Sequence, residues 1–90
     1  MTRQYEIRVS GRVQGGGFRA AASRKARSLR LRGWVENMAD GSVRVMILGD
    51  AYKCTRFIHW CREGSAYSWV DKVDIQEKDP EQLGPFTVIY

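Results

Sequence analysis

Tyr5, Ile7, Val9, Gly11 and Val13 alternate with Glu6, Arg8, Ser10 and Arg12. A period of two is the pattern of a half-buried strand. From Phe18 to about Leu31 the period changes: Phe18, Ala22, Ala26 and Leu29 form one apolar stripe, with arginine and lysine on the other faces. That spacing predicts an amphipathic helix whose last turns carry cations suited to its dipole. Gly33 is read as the end of this unit. Trp34–Met38 then reads as a short strand, Ala39-Asp40-Gly41-Ser42 as a hairpin turn, and Val43–Leu48 as a second strand. The end of that second strand is apolar on both parities, which predicts an interior position in the sheet.

Asp50 is placed to cap a second helix, whose apolar stripe is Ala51, Cys54, Phe57, Ile58 and Cys61, closing near Gly64. Trp69-Val70, Val73 and Ile75 predict a fourth strand with an irregularity near Asp71-Lys72. Gln76 to Pro85 is polar, holds both prolines and reads as a surface loop. Phe86, Val88 and Tyr90 alternate as a terminal strand. The order is strand, helix, strand, strand, helix, strand, plus a last strand. It predicts an α+β domain spanning residues 1–90, two helices covering one face of a mainly antiparallel sheet of four to five strands.

Composition narrows the class. Ninety residues with 43% hydrophobic and 11% aromatic content suit one compact core. The net charge of +5 favours anionic partners without naming them. No apolar run is long enough to span a membrane, and Met1-Thr2-Arg3-Gln4 does not open a signal peptide, so the expected compartment is the cytoplasm. Cys54 and Cys61 would lie roughly 10 Å apart along one helix, too far to bridge, and are read as buried, reduced thiols. His59, the one histidine, faces away from them and has no ligand partner, so no metal site is expected.

The candidate chemistry lies between the first strand and first helix, in Gly11-Arg12-Val13-Gln14-Gly15-Gly16-Gly17-Phe18-Arg19. Consecutive glycines let bare backbone approach a ligand. A helix starting after them aims unpaired N–H groups and a positive dipole end into the turn. An anion would settle there, and Arg19 could add a two-pronged grip on phosphate or carboxylate. Asn37 shares the parity of Val35 near its strand end. Its amide both donates and accepts, which suits holding a water as well as capping a turn.

These residues resemble a known family. Residues 11–19 are similar to the acylphosphatase signature Gly-x-Val-Gln-Gly-Val-x-Phe-Arg, and Gly33-Trp34-Val35-Glu36-Asn37 followed by Asp40-Gly41-Ser42-Val43 is similar to that family's second block. The terminal Phe86-x-Val88-x-Tyr90 also fits. The resemblance implies a ferredoxin-like α/β sandwich, βαββαβ, and hydrolysis of the carboxyl–phosphate bond of small acyl phosphates, with no metal or organic cofactor. It implies Arg19 as the phosphate-binding arginine and Asn37 as the group orienting the attacking water. Gln14, Gly15, Gly16, Gly17, Phe18 and Arg19 would form the phosphate cradle. The implied partners are acyl phosphates and inorganic phosphate; no nucleic acid and no membrane partner is expected from the residues, and a monomer is expected.

Gly16 stands where the family usually has valine. The backbone donor survives, but an apolar anchor is missing, so Gly16→Val is expected to raise stability by roughly 0.5–1 kcal/mol. Two other readings remain. The loose Gly15-Gly16-Gly17 run suits a catalytically weakened anion-binding relative. The basic charge suits an RNA-binding module, although Val43–Leu48 offers no aromatic side chain for base stacking.

Overall fold

The computed structural model describes all 90 residues. The elements are β1 (Thr2–Arg12), α1 (Phe18–Ser28), β2 (Arg32–Asn37), β3 (Val43–Asp50), α2 (Ala51–Glu63), β4 (Trp69–Lys78) and β5 (Thr87–Ile89). They build a five-stranded sheet in the order β4-β1-β3-β2-β5. All pairings are antiparallel except β2 with β5, which is parallel. Both helices pack on one face, as the pattern predicts, giving the ferredoxin-like fold that the family resemblance implies.

The register explains the alternation. Ile7 lies opposite Val45 and Val9 opposite Val43, while Val35 lies opposite Val45 on the other side. These residues are fully buried, with Phe18, Ala22 and Ala26 of α1 and Cys54, Phe57 and Cys61 of α2 closing the core over them. Phe18 and Phe57 both stack on Trp60, at centroid distances of 5.3 and 5.7 Å. Because Phe18 is the first residue of α1, this cluster anchors the helix start that follows the glycine loop. β3 is central, as its two apolar parities predict. Opposite Ser10 and Gly11 the register of β4 shifts, pairing Lys72 and Val70 in turn, so Asp71 is the irregularity foreseen there.

Three boundaries differ from expectation. Gln76–Lys78 is not loop: it continues β4, paired with Glu6, Tyr5 and Gln4. Its polar composition reflects an edge strand with little to bury, held by the backbone ladder and by cross-strand ion pairs of Glu77 with Arg3 and Lys78 with Glu6. α1 stops at Ser28, short of Leu31. Arg30 adopts φ 58°, its N–H reaches Arg27 O, and Leu31 N reaches Ala26 O, a Schellman closure made with arginine at the left-handed position. Gly33 is therefore not the terminator. It lies inside β2, where a Cβ would fall 1.8 Å from Met46 O.

The link from β4 to β5 must cross from one sheet edge to the other. Gln4, fully buried, ties it down: its carboxamide donates to Glu81 Oε1 and accepts from Glu81 N, both at 2.9 Å. At the far edge β5 is gripped from α1. Arg27 donates twice to Phe86 O, and Arg19 donates to Ile89 O at 2.9 Å.

Candidate active site

α1 begins on a left-handed residue. Gly17 has φ 81° and ψ 18°, and Gly15 has φ 85°. Both conformations burden any residue with a Cβ by about 1 kcal/mol or more, which is why glycine stands there. No side chain caps α1, and its first turn contains no acidic residue. The N–H groups of Gly15, Gly16 and Gly17 donate to no backbone carbonyl. Successive free N–H groups around left-handed glycines are an arrangement that can take an anion, and the helix dipole points the same way.

A cavity of about 260 Å³ opens at this point, lined by Gly15, Gly17, Phe18 and Arg19 together with Asn37 from β2 and Tyr90 from the chain end. The structure thus brings five of the expected site residues to one place. Asn37 lies on the helix side of the sheet, two residues beyond the buried Val35. Its Oδ1 is buried and no protein donor reaches it. A buried acceptor without a partner is costly unless a ligand or water supplies an O–H or N–H.

Arg19 is held from two sides. One terminal N–H group goes to Ile89 O, and the guanidinium carbon lies 4.8 Å from the centroid of the Tyr90 ring. This is cation–π distance, and the other guanidinium N–H groups remain without a protein partner. The β2–β5 register ends with Glu36 beside Ile89. One step further places Tyr90 beside Asn37. The sequence placed Tyr90 in a terminal strand and in the terminal pattern of the resemblance, without a site role; the parity Phe86, Val88, Tyr90 was the signal that it joins the face occupied by Asn37.

Two expected cradle residues take other places. The Gln14 carboxamide turns away from the cavity and donates to Met38 O and Ser42 O, both at 2.8 Å. These carbonyls flank the β2–β3 turn, so Gln14 ties the cradle loop to the strand end that carries Asn37. That turn is further closed by Asp40, which accepts from Ser42 N at 2.9 Å and Ser42 Oγ at 2.6 Å. These bonds hold the Asp40 carboxyl below its usual range, with Arg8 adding a smaller push.

Gly16 faces the opposite side of the loop. A Cβ there would lie 2.9 Å from Tyr67 O and 3.3 Å from Tyr67 Cβ. The loop before β4 has closed into the space that a side chain at 16 would need, so Gly16→Val overpacks this contact instead of filling a gap. The stabilisation expected from the sequence is corrected accordingly.

The cavity lining carries no carboxylate, imidazole or thiol. Its donor set of backbone N–H groups and one guanidinium suits an anion. The thiols lie elsewhere, in the core. Cys54 is pushed up to about 11, first by burial and then by the charge of Asp50, and burial also raises Cys61. Both are free. His59 is exposed and pairs with Glu63 at 3.0 Å.

A family model described as acylphosphatase matches residues 5–88. The chain is 41% identical over 83 residues to an acylphosphatase of Thermococcus kodakarensis, covering 92% of this chain and 91% of that one. A crystal structure of acylphosphatase from Bacillus subtilis superposes with a TM-score of 0.94 at 35% identity over 100% of both chains. An acylphosphatase structure from Coxiella burnetii gives a TM-score of 0.94 at 32% identity, covering 98% and 93%.

Proposed function

This chain belongs to the acylphosphatase family and is a hydrolase of acyl phosphates, and from that premise we propose how its residues divide the reaction. The phosphoryl group sits on the amides at the start of α1, with Arg19 across its equatorial oxygens. Asn37 Oδ1 accepts from a water and aims it at phosphorus, in line with the acyl oxygen. Attack forms the new P–O bond as the bond to the acyl oxygen breaks. The carboxylate leaves with that electron pair, and a phosphate oxygen takes the water's proton. An acyl phosphate has a good leaving group, so orientation and charge stabilisation suffice without a tuned general base. Phe18 and Gln14 act by position: one anchors the helix start, the other fastens the loop to the strand end of Asn37.

The observation carrying this reading is one small cavity that holds an uncapped helix start, a guanidinium with free donors and a buried amide oxygen without a partner. One chain supplies every lining residue, which supports action as a monomer. Two free core thiols suit a reducing compartment such as the cytoplasm. Small acyl phosphates and inorganic phosphate are the partners. Nucleic acid is disfavoured because basic groups of the helix-free sheet face are already paired: Arg8 with Asp40, Arg44 with Glu36 and Lys78 with Glu6.

The test is hydrolysis of benzoyl phosphate without added metal. Arg19→Ala is expected to lower kcat/KM by about 10²–10³ and to weaken competitive inhibition by inorganic phosphate. Asn37→Ala is expected to lower kcat by a similar factor while phosphate inhibition stays within about twofold, since water placement matters only along the reaction path. If Asn37→Ala loses phosphate affinity and turnover equally, the water-holding role is wrong.

A further inference from the structure

The guanidinium of the proposed phosphate seat takes its support from β5 and the residue after it. Arg19 donates to Ile89 O at 2.9 Å and lies 4.8 Å from the centroid of the Tyr90 ring. β5 is itself a slight element. It is three residues long, stands at the sheet edge and pairs with β2 alone. Its start is fixed from α1 a second time. Arg27 Nε and Nη2 both donate to Phe86 O, at 3.2 and 2.9 Å, and the Phe86 ring is buried with its centroid 6.4 Å from that of Phe57. Arg19 and Arg27 lie about 12 Å apart along the helix axis. Phe86 and Ile89 lie about 10 Å apart along an extended chain. α1 and β5 therefore run side by side in opposite directions, joined by two arginine rungs of matching span. One rung lines the seat, and the other lies outside it.

We propose that Arg27 is a positioning residue for Arg19: by clamping Phe86 O it sets the line of β5, and through Ile89 O and the Tyr90 ring it sets where Arg19 presents its free N–H groups. A guanidinium grips phosphate with two parallel N–H groups, so a small shift of its plane loses one prong. The clamp needs arginine. A lysine ammonium is a point charge on a flexible stem and cannot hold one carbonyl with a rigid fork. Arg27 has no competing task, since the chain's ion pairs involve other groups. This role rests on the acyl-phosphate reading above.

The experiment measures kcat/KM with benzoyl phosphate, affinity for inorganic phosphate by calorimetry, and the NMR order parameter of Arg19 Nε–H, a signal assigned by its absence in Arg19→Ala. Wild type, Arg27→Ala, Arg27→Lys and the control Arg24→Ala, which removes a cation from α1 without touching β5, are compared. Arg27→Ala is expected to lower kcat/KM about 5- to 10-fold, to weaken phosphate about 3- to 5-fold and to lower the Arg19 order parameter. Arg27→Lys is expected to recover only part of each loss. In an Arg19→Ala background, Arg27→Ala is expected to move kcat/KM by less than about 1.5-fold, because the group it acts through is gone. Equal losses with and without Arg19, or an Arg19 as ordered as in wild type, would make Arg27 a mere support of the fold and refute the proposal. An Arg27→Ala no weaker for phosphate than Arg24→Ala would refute it too, since loss of charge alone would then suffice. If wild type does not hydrolyse benzoyl phosphate, the acyl-phosphate reading itself has failed, and the order parameter still decides whether Arg27 orders Arg19.

Discussion

The two halves of the chain repeat one junction, a strand entering a helix, and finish it in opposite ways. At α2 the N-cap is Asp50, whose carboxylate accepts from Tyr52 N at 3.1 Å and Lys53 N at 3.4 Å. The helix brings its own anion. At α1 the N-cap is left-handed Gly17, which has no side chain to offer, and the first turn holds Arg19 instead of an acid. There the helix forgoes a cap that typically contributes about 1 kcal/mol and leaves its N–H groups without an internal anion, as the proposed phosphate seat requires. Identical topology thus yields a capped end and an uncapped one; neither first turn holds an acid and each holds one cation, Arg19 or Lys53, so the difference lies in the residue at each N-cap.

Gly17→Asp attacks that difference most directly. A carboxylate at position 17 would supply α1 with an internal anion and repel the external one. Phosphate affinity measured by calorimetry is expected to fall at least about tenfold. Gly17→Asn, which tolerates the left-handed conformation and is neutral, is expected to lose less. Equal losses would mean that shape, not charge, governs the seat.

Asp50→Ala is the reciprocal change. It is expected to lower stability by about 1 kcal/mol in denaturant unfolding, with kcat and phosphate affinity unaltered. Loss of activity in this variant would show that the two helix starts are coupled, contrary to the comparison.

Gly16→Val sharpens the uncapped side. Its Cβ meets backbone at Tyr67, so a destabilisation of about 1 kcal/mol is expected from thermal melting, the direction opposite to that of a simple gain in chain stiffness. A rise in Tm would show that the Tyr67 loop yields freely.

The smallest effect concerns the turn beyond Asn37. The folded Asp40 carboxyl is held below its unfolded value of 3.8. Its contribution is therefore present above that value and is lost as pH falls through the lower folded one. Asp40→Asn is expected to melt slightly below wild type near neutrality, and the gap is expected to narrow as pH falls below the ordinary carboxylate range.

Gly15-Gly16-Gly17-Phe18-Arg19, Asn37 and the Asp50 cap were legible in the chain because each acts locally. A glycine run, a strand parity and a helix cap are properties of neighbouring residues. The alternation in β1 and β3 and the stripes of α1 and α2 likewise predicted the buried face, since burial of one face imposes its period on the sequence. Gln76–Lys78 escaped because an edge strand held by its ladder and by surface ion pairs needs no apolar period.

Tertiary structure decided what depends on residues far apart in sequence. Tyr90 reaches Arg19 only because β5 adds in parallel beside β2, and Gln14 serves the Asn37 turn only because the loop folds back over β3. Gly16 looks like a missing anchor until the Tyr67 loop is seen pressed against it. Local chemistry, written in dihedral preference and periodicity, made the uncapped glycine turn proposed as the phosphate seat. Long-range packing, which no local pattern encodes, determined which side chains hold that seat in place and which face away.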